Sequence, residues 1–248
     1  MLSIITPVLN GRKFIQNNIE SIQKLTIPYE HIVVDGGSTD GTIEYVSQFP
    51  HIKLLHQQEN SGMYGAIHQG FMESKGGYFT WVNCDDKIIS LGYDKMYEVI
   101  VDNKFDLVFS NGIHHFVDKY EYKLVTALPF ARYFLKEGIF PFVQPSSLFS
   151  RKGYEKMGGL DYTNFKIIGD RDLFQKMAYD SSLRIKYVPI FSSVFLRYDE
   201  SLLYRNLDLL KREHAYTIKT NPSLFNRGIY HFFRLVRNNY WKIIKINK

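Results

Sequence analysis

Apolar and polar positions along this chain fall into two alternating rhythms. Short runs of apolar residues are separated by stretches in which apolar residues return every three to four positions. Ser3–Val8, His31–Asp35, Ile52–Leu55, Tyr78–Val82 and Asp106–Ser110 are runs of the first kind, closed by Pro, Gly or Asp. Between them, Arg12–Leu25 places Phe14, Ile15, Ile19, Ile22 and Leu25 at helical spacing. Thr42–Gln48, Met63–Ser74 and Leu91–Asn103 continue the helical pattern. Strand and helix alternating at this interval predict βαβ units and a parallel sheet with helices on both faces.

The second half is less regular. Phe140–Ser150 reads as a loop and a strand broken by Pro141 and Pro145, and Arg151–Met157 as a short helix ended by Gly158-Gly159. A helix opens at Gly169-Asp170-Arg171-Asp172, a strand covers Arg184–Phe195, and Glu200–Thr220 is helical. Beyond Asn221, Ile229, Phe232, Phe233, Val236, Tyr240, Ile243 and Ile244 recur at helical spacing. The expectation is one α/β domain over residues 1–220 and a basic amphipathic helix over 221–248.

Charge sharpens the tail. Residues 221–248 hold six Lys or Arg and no acidic residue, so the remaining 25 basic residues balance the chain's 25 acidic ones. A nucleic-acid protein would spread its cations over a binding face, so nucleic acid is not the expected partner. Aromatic, basic composition suits a helix lying on an anionic membrane surface, or one packed on the domain with its cations in water. Cys84 is the single cysteine, so no intramolecular disulfide forms and a reducing, cytoplasmic setting is expected. The N-terminal segment carries no signal-peptide pattern and no window reads as a spanning helix, so any membrane contact is expected to be peripheral, at the inner face.

In open α/β sheets ligands sit beyond the carboxyl ends of the strands. Three clusters lie there: Thr6-Pro7, Asp35-Gly36-Gly37 and Asp85-Asp86. Adjacent carboxylates at a strand end suit Mg²⁺ or Mn²⁺ with substrate phosphates, or else form a polar turn. Asp35 could accept a hydrogen bond from a base or ribose, or simply end a strand before a turn capped by Ser38 or Asp40. Asp170 and Asp172 sit where acidic residues cap a helix, and either could instead act as a general base. The eight histidines show no metal-ligand spacing, and no nucleophile elbow or phosphate-binding Gly-Lys loop occurs.

Six segments, in order, resemble the inverting family 2 glycosyltransferases, whose catalytic domain is the nucleotide-binding fold called glycosyltransferase type A, a Rossmann-like mixed sheet with helices on both faces. They are "SIITPVLNGRKFI", "HIVVDGGSTDGT", "ENSGMYGAIHQGF", "WVNCDD", "QPSSLFSRKGYEKMGGLD" and "IIGDRDLFQKMA", together spanning about Leu2 to Ala178. The resemblance implies transfer of a sugar from a nucleotide-diphosphate donor, most often UDP-linked, to an acceptor hydroxyl. A lipid-linked glycan in cell-surface polysaccharide synthesis is the acceptor class it suggests. It places Thr6, Pro7 and Asp35 at the nucleotide, Asp85 near the ribose, Asp86 on the Mn²⁺ or Mg²⁺, and Asp170 as the base, with Asp172 second. Many relatives carry Asp where this chain has Gly65, and some carry Asp at the position of Asn83. A degenerate sugar-nucleotide or glycan-binding module, and a nucleotidyltransferase, are the alternatives. The first lacks a need for both a metal carboxylate and a base. The second expects a Gly-rich basic loop that "TPVLNGRKF" supplies poorly.

Overall fold

The computed structural model describes residues 1–59, 61–128, 130–198 and 206–220, together with Phe232, Leu235, Val236 and 242–245. The opening half follows the predicted alternation: β1 (Leu2–Val8), α1 (Arg12–Ile22), β2 (Tyr29–Asp35), α2 (Thr42–Val46), β3 (Ile52–His56), α3 (Gly62–Met72) and β4 (Tyr78–Trp81). β5 (Lys87–Ile88) and α4 (Ser90–Asp102) follow. β1 pairs in parallel with β2 on one side and β4 on the other, and β3 extends the sheet from β2.

Side-chain alternation along each strand builds two cores, one per face. Ile5, Phe79, Trp81, Leu107, Phe109 and Phe149 point to one side, under α3 and α7 (Gly169–Tyr179). Their neighbours Ile4, Val108 and Leu148 point to the other, under α1 and α4. On the first face aromatics pack edge to face or stacked: Phe71 stacks on Phe79 at 4.4 Å and Trp81 on Phe174 at 6.0 Å between centroids. The high aromatic content therefore fills a core.

The second half departs from the parallel pattern. β6 (Leu107–Phe116) is ten residues long and serves three partners. Its first part lies antiparallel to β8 (Ser147–Ser150), which also pairs antiparallel with β4. Its second part forms a hairpin with β7 (Glu121–Val125). Its other edge runs parallel to β9 (Ile185–Arg197), with a register shift around Asn111. The hairpin went unread in sequence because Glu121–Val125 alternates weakly and its turn residue, Tyr120, sits at φ 51° without a glycine to announce it. α5 (Ala131–Lys136) and α6 (Arg151–Lys156) are short connectors.

α8 (Leu207–Thr220) matches the expected helix, whose first residues, 200–205, lie outside the described residues. The tail does not follow the helical expectation throughout. Lys242–Lys245 is instead a strand, β10, antiparallel to β7. Ile243 and Ile244 favour strand geometry, and the free edge of β7 offers unpaired backbone groups for a strand to complete. Phe232, Leu235 and Val236 are helical, and Val236 packs on Leu128, Phe134 and Ile139; the remainder of 221–248 lies outside the described residues. No helix among the described residues is long and apolar enough to cross a membrane.

Candidate active site

The carboxyl ends of β1, β2, β3 and β4 form one rim. At the end of β2, Asp35 is buried, and its carboxylate accepts the backbone N–H of Gly37 at 2.8 Å and of Ser38 at 3.1 Å. Gly37 turns at φ 100°, which presents these amides to the carboxylate. Asp35 is thus part of its own turn. It also begins a relay along the rim: Gln57 donates its backbone N–H to the Asp35 carbonyl at 2.8 Å. The Gln57 side-chain amide then donates to Ser61 Oγ and the Gly62 carbonyl, both at 2.9 Å. Lys166 Nζ reaches the Ser61 carbonyl at 2.9 Å. The segment before α7 is thereby brought to the same rim as Asp35.

Thr6 and Pro7 fit the nucleotide role poorly. Thr6 is fully buried, its hydroxyl donating to Asn18 Oδ1 at 3.2 Å and lying 2.9 Å from His31 Nε2. Burial pushes the His31 imidazole down to about 3, so it is neutral in this apolar setting. Pro7 is buried in β1 opposite Val34. The side chain that leaves β1 into the open is Leu9, 61% exposed. Strand alternation turns Thr6 inward, and the expectation missed this because the segment was read as a strand end rather than as paired backbone.

After β4 the chain turns through Asn83-Cys84-Asp85-Asp86. Asn18, buried on α1, fastens this turn by donating its side-chain amide to the carbonyls of Asn83 at 3.0 Å and Asp86 at 3.1 Å. Cys84 packs against Val8 and the α1 core, and burial pushes its thiol up. This is the packing role expected for it.

The two aspartates then divide. Asp86 is 0% exposed, and one of its oxygens accepts the Leu196 backbone N–H at 2.9 Å. Asp85 is half-buried at a cavity of about 520 Å³ that Phe14, Asn17, Lys87, His115 and Tyr198 also line. The Tyr198 hydroxyl donates to Asp85 Oδ2 at 2.9 Å. The carboxylate sealed behind the turn is the one assigned to the metal, and the one at the opening is the one assigned to the ribose. The amide of β9 that captures Asp86 is distant in sequence.

Burial raises both carboxyls, and Asp85 raises Asp86 further by repulsion. Asp86 Oδ2 is buried without a hydrogen-bond partner. Two acidic oxygens clustered in this way fit a divalent cation, whose charge would relieve both causes of the shift. No group of three or more His, Cys, Asp or Glu side chains gathers as a metal site among the described residues.

Asp170 and Asp172 also part company. α7 begins at Gly169, where a Cβ would press on the Tyr64 ring at 2.9 Å, so glycine lets the helix start against α3. Asp170 Oδ1 accepts the Tyr64 hydroxyl at 3.0 Å and the Arg171 backbone N–H at 2.8 Å. Burial raises its carboxyl to about 6 against the opposing pull of these hydrogen bonds. Asp172 is buried on another side of the helix and pairs with Lys176 Nζ at 2.6 Å, one turn on. A half-buried carboxyl tuned to the neutral side of its ordinary range suits a general base; a carboxylate in an ion pair suits structure.

The family model described as "Glycosyl transferase family 2" matches residues 3–177. The chain belongs to glycosyltransferase family 2. It is 29% identical over 115 residues to the putative teichuronic acid biosynthesis glycosyltransferase TuaG of Bacillus subtilis, covering 44% of this chain and 46% of that protein. The chain spans less than half the length of the first curated relatives it matches. Among solved structures, S. aureus TarS 1–349 in complex with UDP-GlcNAc superposes with a TM-score of 0.66 at 14% identity. That match covers 96% of this chain and 71% of the TarS chain. The mannosyltransferase PcManGT from Pyrobaculum calidifontis, in complex with GDP-Man and Mn²⁺, gives 0.61 at 17% identity over 88% of this chain and 64% of that one. The type A fold expected from the motifs is the fold observed.

Proposed function

We propose that this family 2 enzyme inverts the anomeric centre of a UDP-linked sugar as it transfers that sugar to an acceptor hydroxyl, with Asp170 as general base. The observation that carries the reading is Asp170 itself: half-buried at the start of α7, raised to about 6, and held by Tyr64 on the rim that bears Asp35. Asp170 takes the proton of the acceptor hydroxyl. The freed oxygen attacks the anomeric carbon from the face opposite the diphosphate. The bond to the diphosphate breaks, and the nucleoside diphosphate leaves with the electron pair.

Asp85, with Asp86 behind it, would hold Mn²⁺ or Mg²⁺. A cation there neutralises charge that develops on the departing diphosphate. Support comes from the donor set on this chain and from the Mn²⁺ complex of PcManGT. UDP is favoured because TarS is solved with UDP-GlcNAc. The likeness to TuaG supports a glycan acceptor in cell-surface polysaccharide synthesis. The basic tail, residues 221–248, would bring the enzyme to the inner face of the membrane, where a lipid-linked acceptor is presented.

The test is thermal unfolding with UDP, GDP, dTDP and CMP, each with and without Mn²⁺. Ligand that binds the native state raises its stability by mass action. A shift with UDP that requires Mn²⁺ supports the reading. A shift with another nucleotide reassigns the donor, and no shift with any of them overturns the donor site proposed here.

A further inference from the structure

The family pattern stops at residue 177, yet the base-bearing turn is fastened from beyond it. The Glu213 side chain on α8 is buried, and its two oxygens accept three successive backbone N–H groups. Lys166 donates at 2.6 Å, Ile167 at 3.0 Å and Ile168 at 3.0 Å. Consecutive amides converging on one anion form a nest, a strong and directional arrangement. Around it, Leu209 and Leu210 pack on Phe165, Ile167 and Ile168, and the Tyr216 ring meets Phe165 at 5.5 Å. Next to Glu213, His214 contacts the Arg171 guanidinium.

The fastened segment leads straight to the base. The Ile167 carbonyl accepts the Tyr64 hydroxyl at 3.1 Å, and the same hydroxyl lies 3.0 Å from Asp170 Oδ1. One O–H proton thus faces two acceptors, whose relative positions are set by residues 167–170. A carboxylate that fixes the amides of residues 166–168 also fixes which way that proton leans.

We propose that Glu213 is a positioning residue for Asp170, acting through the backbone of residues 166–168. It rests on the reading of Asp170 as base only for its catalytic consequence; the mechanical link stands on hydrogen bonds alone. Without Glu213 the turn loosens, water reaches Asp170, and the aim of its carboxyl is lost.

Two measurements test this on the full chain. In the unaltered protein, amide hydrogen exchange should give residues 166–168 the same slow rate as α8, because they open only when α8 opens. In Glu213→Gln, whose side-chain NH₂ must face backbone N–H groups, those amides should exchange at least tenfold faster while β1–β4 stay protected. Titration of the labelled Asp170 carboxyl by NMR should move down toward the ordinary aspartate range, since burial is the largest cause of its elevation. Amides 166–168 that exchange far faster than α8 in the unaltered protein overturn the link even if the variant fails to fold. An unchanged Asp170 titration in a folded Glu213→Gln protein overturns it as well. Loss of the base assignment would appear separately, as full transfer activity in Asp170→Asn with the exchange pattern intact.

Discussion

The Tyr64 hydroxyl and the Asp170 carboxyl are 3.0 Å apart, joining the first turn of α3 to the first turn of α7. Tyr64 is 2% exposed, so its O–H needs a partner inside the protein, and it stabilises the ionised form of Asp170. Burial and hydrogen bonding therefore oppose each other on one carboxyl, and burial wins.

Asp170→Asn keeps the size and the acceptor for Tyr64 but removes the base. Turnover should fall by about 10²–10⁴-fold, the usual contribution of a positioned general base. Nucleotide affinity, read by calorimetry, should be little changed, since the proposed donor contacts are Asp35 and Asp85.

The pH profile follows from the same residue. The base must be ionised, so kcat/KM should be level above about 6 and fall about tenfold per pH unit below it. Tyr64→Phe removes a hydrogen bond that favours the ionised form. The acidic limb should then move to higher pH. A limb that stays put, or moves down, contradicts the assignment.

The two neighbouring aspartates should separate by mutation. Asp85→Asn should abolish the Mn²⁺-dependent part of nucleotide binding with little effect on unfolding. Asp86→Ala should destabilise the fold by about 1–3 kcal/mol, because the half-buried Leu196 amide loses its acceptor. Chemical denaturation distinguishes them. A stable Asp86→Ala protein that has lost only Mn²⁺ response would make Asp86, rather than Asp85, the principal ligand.

The resemblance places Gly65 where many relatives carry aspartate, and Ser61 fills the space a side chain there would need. A Cβ there would overlap the Ser61 side chain, which Gln57 holds in place. Gly65→Asp alone should therefore cost about 1–3 kcal/mol of stability by overpacking. Pairing it with Ser61→Gly should recover most of that loss in thermal unfolding. Equal destabilisation by the single and double variants would show that the obstacle lies elsewhere.

How much the sequence disclosed depends on the range of the forces involved. β1, β2, β3 and β4 and their helices were legible because each rests on local periodicity. Asp35, Asp85 and Asp170 were legible as candidates because acidic residues follow apolar runs at one rim. The orientation of Asp86 was not, since the Leu196 amide that seals it lies on β9. The inward course of Thr6 was hidden for a similar reason: its hydroxyl meets Asn18 and His31, from α1 and β2. Asn18, Tyr198 and Glu213 carried no local signal, being polar residues in helices or at a strand end whose partners are remote. The tail's apolar spacing suits either period over its last residues, and only the open edge of β7 selects a strand for Lys242–Lys245.

The clasp from α8 also orders events in time. Chains emerge from the ribosome N-terminus first, and domains fold as units while they do so. The parallel sheet with Asp35 and Asp85 can assemble while α8 is still in the exit tunnel. Asp170 has by then been made, yet its turn stays unfastened until Glu213 arrives. A nascent chain stalled before residue 213 lacks the carboxylate that gathers the amides of residues 166–168.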